Sequence, residues 1–81
     1  CALPIYQLPV ESEVLINIFD LQGQKVKTLV HQKLEPDYHN VVWDATNGLG
    51  KRVGSSMYIY RMTAMSDHKV FTKTGKMIYI Q

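Results

Sequence analysis

The chain has 81 residues, 46% of them apolar, and a formal net charge of +2. That length holds one domain, residues 1–81, whose modest core buries about 60% of the unfolded surface. Scattered basic residues with no block of five argue against nucleic acid, no apolar run nears the ~20 residues of a membrane helix, and nothing resembles a disordered composition.

In chain order, "PIYQL" opens as a first strand. "EVLINIFD" alternates cleanly and sets Val14, Ile16 and Ile18 on an inward face, with Glu13 and Asn17 opposite. "DLQGQ" places Gly23 where a left-handed residue closes a tight connection into "KVKTLVHQ". "LEPDYH" reads as a turn at Pro36 and Asp37. "YHNVVWD" is expected to be a strand with His39, Val41 and Trp43 inward. "ATNGLGKRVGSS" is the longest connection, with Asn47-Gly48 and Gly50 supplying positive φ. "MYIYRMTA" turns Tyr58, Tyr60 and Met62 inward, and "HKVFTKTGKMIYI" is a long last strand that Thr74-Gly75 is expected to bend or bulge. No window has a helical period. Strands recurring about every ten residues predict an all-β antiparallel sandwich.

Candidate chemistry is sparse. His31, His39 and His68 lack the spacing of zinc ligands, and His39 is expected to donate to a backbone carbonyl in the core. Asp44, Thr46, Asn47 and Gly48 resemble part of a calcium loop, but the closing glutamate is missing and Lys51 and Arg52 stand nearby. Asp44 is therefore expected to accept from the turn's own N–H groups. The carboxylates fall mostly in turns or at strand ends, and no nucleophile elbow, zinc-binding helix or phosphate loop appears. Tyr6, Tyr38, Trp43, Tyr58, Tyr60 and Tyr79 could form a stacking platform, yet alternation sends Trp43, Tyr58 and Tyr60 into the core. No metal, cofactor or catalytic residue is expected. The sole cysteine, Cys1, excludes an internal disulfide and reads as a fragment boundary rather than a lipidated N-terminus. No signal peptide opens the sequence.

Taken in order, "IYQLP", "VLINIFDLQGQKVKTLV", "YHNVVWD", "GKRVGSSMYIYRM" and "KMIYI" resemble the C-terminal sorting domains of type IX secretion and the related hook-capping-protein module. The resemblance covers essentially the whole chain, with Asp37 and Ser56 standing where that family usually has glycine. It implies an Ig-like (fibronectin III-like) sandwich of about six to seven strands. It also implies a non-catalytic tail, attached to an upstream catalytic or adhesin domain of a larger protein. Such a tail crosses the periplasm, is read by outer-membrane secretion machinery and leaves its cargo secreted or at the cell surface. The expected recognition segment is Lys73, Lys76, Met77, Ile78, Tyr79, Ile80 and Gln81, because an edge strand offers unpaired backbone groups to a partner. The same edge allows β-mediated self-association. The alternative is a structural or assembly module of the hook-capping kind, or a spacer in an extracellular protein.

Overall fold

The computed structural model describes residues 3–81, so Cys1 lies outside the described residues. Six strands form: β1 (Tyr6–Leu8), β2 (Ser12–Phe19), β3 (Lys25–Leu34), β4 (Asp37–His39), β5 (Ser56–Ser66) and β6 (Lys69–Tyr79). The described residues are all-β, in two antiparallel sheets. A four-stranded sheet has the order β3-β2-β5-β6, and β1 pairs with β4 in a small second sheet.

Period-two alternation produces the core. Val14, Ile16 and Ile18 on β2 lie beside Tyr58, Tyr60, Met62 and Ala64 on β5, and all are buried. Trp43 closes this layer from above with no exposed surface. Its ring meets Tyr58 edge-on at 5.0 Å, and its indole N–H donates to the Thr46 carbonyl at 2.8 Å. A buried aromatic with a satisfied polar handle fixes its orientation as well as its burial.

Four expectations are corrected. "YHNVVWD" is not one strand: Asp37–His39 forms β4 and Val42 makes only a lone bridge, although alternation continues, with residues 40, 42 and 44 exposed. The chain must leave the ladder to lay Trp43 over the large sheet, and it turns at Ala45, a buried residue with φ of 63°. His39 and Val41 are accordingly only half-buried. The His39 ring stacks on Tyr6 at 5.6 Å and its Nε2 donates to the Glu35 carbonyl at 2.8 Å, a position on the rim of a sheet only three residues long.

Gly75 bears no bulge, since β5 and β6 pair without a register shift from Ser56↔Tyr79 to Ser66↔Lys69. A Cβ there would clash with the phenol end of the Tyr60 ring, so glycine makes room for a core tyrosine. The bulges lie instead between β2 and β3, after Ile16 and after Ile18. In the long connection, Gly50 has φ of 80° but Gly48 is not left-handed; Ala45 takes that role. Neither Asp37 nor Ser56 needs positive φ, so neither is strained for want of glycine.

The β5–β6 hairpin runs the length of a molecule measuring 38 × 21 × 21 Å. Eleven residues at about 3.3 Å each account for that long axis. The hairpin turns at Asp67-His68, with Asp67 at φ of 47°, and its tip projects beyond the covering layer. Met65, Val70 and Phe71 are exposed there.

Candidate recognition edge

The connection from Asp44 to Val53 spends its polar groups on itself. Asp44 Oδ1 accepts from the Thr46 hydroxyl and from the Thr46 N–H at 3.1 Å, and Lys27 Nζ stands 3.5 Å away. The Thr46 hydroxyl bond, then the Thr46 N–H and the Lys27 charge, hold the Asp44 carboxyl below its ordinary value. Asn47 Oδ1 accepts from the N–H groups of Leu49 and Lys51, which folds the loop into a compact turn. Asp44 faces an ammonium where a calcium loop would bring oxygen ligands. Among the described residues, no three His, Cys, Asp or Glu side chains gather in a metal-binding cluster.

Lys27 reaches this loop because of a bulge. Ile16 pairs with Val30 but Ile18 pairs with Lys27, so the extra residue, Leu29, shifts the alternation and brings Lys27 onto the covered face. There its Nζ donates to the Thr46 hydroxyl oxygen at 2.8 Å. The loop also caps the β3 edge directly, since the Gly48 N–H donates to the Val26 carbonyl at 3.0 Å.

At the other side of the sheet, β6 pairs only with β5 among the described residues, and its second edge has no strand partner there over residues 69–76. It carries Lys69, Lys73 and Lys76 and no acidic residue. None of the three lysines has an ion-pair partner among the described residues. Pairing with β5 assigns the faces. Lys69, Phe71, Lys73, Gly75, Met77 and Tyr79 share the core side, whereas Val70, Thr72, Thr74, Lys76 and Ile78 share the outer side. Burial on the core side runs out along the strand: Met77 is buried and Tyr79 half-buried, but Lys73, Phe71 and Lys69 are exposed.

The seven residues expected to face a partner thus divide. Lys73, Lys76, Ile78, Ile80 and Gln81 are exposed, Ile78 by 66% and Ile80 by 78%. Met77 packs in the core, and Tyr79 leans on Trp43 at 6.3 Å while its hydroxyl accepts from Arg52 at 3.2 Å. These two are anchors of the strand rather than groups presented to a partner, because they pair directly opposite Tyr58 and Ser56, which puts them on the covered face. The Gln81 N–H donates to the Ser55 hydroxyl at 2.8 Å, which ties the last residue back to the start of β5.

Sequence reading passed over Lys69 and Phe71. The signal was present as K-x-F-x-K, alternating positions that share one face of any strand, but its meaning depends on knowing which strand is an edge. No family model, curated protein or solved structure matches the chain.

Proposed function

We propose that the chain is a non-catalytic recognition module, a C-terminal sorting-type domain read by outer-membrane secretion machinery. Its role is to carry an upstream catalytic or adhesin domain through the periplasm to the cell surface or beyond. The observation that supports this reading is the outer edge of β6 over residues 69–76, where the lysines have no ion-pair partner among the described residues and the strand is held in place by Met77 and Tyr79. An edge strand anchored from one side and open on the other suits a peptide-reading partner, which gains backbone hydrogen bonds and alternating side-chain contacts together.

The Ig-like form of the sandwich belongs to the same proposal. It is supported by Tyr58, whose hydroxyl donates to the Gly54 carbonyl four residues upstream at 2.6 Å. That contact is similar to the tyrosine corner of Ig-like sandwiches.

Fusing residues 1–81 to a reporter tests the function. The fusion is expected to cross the outer membrane in a host with that machinery, and Ile78→Glu with Ile80→Glu is expected to block it without unfolding the domain. Retention of the unaltered fusion inside the cell refutes the sorting reading. Removing residues 76–81 outright is a poorer test, because it also takes away Met77 and Tyr79.

A second reading, an assembly or spacer module, draws support from the apolar side chains exposed on the hairpin, Met65, Val70 and Phe71. It predicts concentration-dependent association of the isolated chain in sedimentation, which the sorting reading does not require.

A further inference from the structure

We propose that the outer edge of β6 takes an extended acidic segment of a partner protein, centred on Lys69, Phe71 and Lys73. This names the chemistry of the partner and rests on the recognition reading above. Three observations converge. First, the edge is regular and has no strand partner among the described residues over residues 69–76. Second, Lys69, Phe71 and Lys73 share the core-side face, opposite Ser66, Ala64 and Met62, yet all three are exposed. Third, a small apolar recess lined by Leu3, Pro4, Tyr6, Ile16, Tyr60 and Met62 lies beside Lys73 on that same face.

An added strand would lie about 4.8 Å from β6 with its own side chains in the same alternation. Residues at i, i+2 and i+4 would then stand beside Lys69, Phe71 and Lys73. Complementarity asks for acid, apolar, acid at those positions, with the apolar side chain resting on the exposed Phe71 ring. Lys76, on the other face, adds to the same positive field.

Charge decides against a second copy as the occupant. Two antiparallel β6 strands would bring six lysines into one ladder with no carboxylate among them. Edge lysines are a general device against such self-pairing, and here they leave an acidic partner favoured. The other edge of the sheet offers no comparable site, since three of its four basic side chains already face a carboxylate or its loop.

The test titrates the 81-residue chain with a synthetic peptide of about ten residues. The peptide carries the acid-x-apolar-x-acid pattern, and a control replaces both acids by lysine. Binding is expected to perturb the backbone amides of Lys69 to Lys76. It is expected to weaken about tenfold or more in Lys69→Glu/Lys73→Glu, and to weaken as salt is raised. Phe71→Ser, which leaves charge unchanged, is expected to weaken it too, whereas Lys25→Glu/Lys33→Glu on β3 leaves it intact. The proposal is overturned if the lysine peptide binds as well, if the β6 double variant binds unchanged, if perturbations map to β3, or if the free chain dimerises through β6. Export of the reporter fusion is scored in parallel. An exported fusion whose domain fails to bind the peptide sinks the acidic-strand inference and leaves the sorting reading standing. A domain that binds the peptide while its fusion stays in the cell does the reverse.

Discussion

The four-stranded sheet has two edges, and they are finished in opposite ways. On β3, two bulges twist the strand, Gly48 caps the Val26 carbonyl, and three of the four basic side chains have carboxylate partners: Lys27 with Asp44, His31 with Glu13 and Lys33 with Glu11. On β6 the ladder is regular over its full length, and its three lysines are exposed with no ion-pair partner among the described residues. Surface ion pairs contribute little to stability, so the difference is not about holding the sheet together. It concerns what each edge presents: β3 is bulged, capped at Val26 and largely charge-paired, while β6 is regular and cationic. One strand pairing ends at β3, and another can begin at β6.

The comparison requires that both edges hang on one rigid core, and Trp43 is where that can be broken most severely. Trp43→Ala removes the ring that touches Tyr58 and Tyr79 and the indole N–H that holds Thr46. A loss of ~3–5 kcal/mol is expected, enough to unfold a domain of this size. A cooperative thermal transition near the original midpoint would show that the covering loop is dispensable.

A smaller effect is expected at Gly75→Ala. Ordinarily alanine would stiffen a strand, but here the new Cβ must displace the buried Tyr60 ring. A cost of ~1–3 kcal/mol is expected in urea unfolding. Any gain in stability would mean that β6 stands off from Tyr60 and that its anchored half is loose.

Much of this was legible beforehand, and the reason is physical. Alternation at Val14, Ile16, Ile18, Tyr58, Tyr60 and Met62 reflects one buried face, which a strand cannot disguise. Gly23, at φ of 84°, likewise shows in the sequence as a turn between two apolar runs. What stayed hidden depends on tertiary placement. Nothing local announces that Ala45 takes a left-handed conformation, that Leu29 is the bulged residue delivering Lys27 to the loop, or that Gly75 answers Tyr60 across the ladder. A run of residues 76–81 looks continuous in the sequence, whereas a strand divides any run between two faces, and Met77 and Tyr79 fall on the covered one.

On the β3 edge, Lys27→Met tests whether the bulge serves the loop. It removes the bond to Thr46 and the charge beside Asp44, for up to about 1 kcal/mol in the same unfolding assay. An unchanged midpoint would reduce the contact to a passing one.

Smallest of all is a pH effect confined to this side. Because the folded value for Asp44 is lowered, chiefly by the Thr46 hydroxyl, its contribution is present above the ordinary carboxylate value. The contribution fades as pH falls through the lowered one. Thr46→Val is expected to flatten the acid limb of the stability profile slightly; an unaltered limb would remove Asp44 from the account.

The most direct measurement sets the two edges against each other in export of the reporter fusion. One fusion carries Lys69→Glu, Lys73→Glu and Lys76→Glu on β6, and the other carries Lys25→Glu and Lys33→Glu on β3, with folding checked by a thermal transition in each. Recognition through the β6 edge predicts that the β6 set stays inside the cell while the β3 set is exported like the parent. Equal export of both, or loss confined to the β3 set, would contradict it.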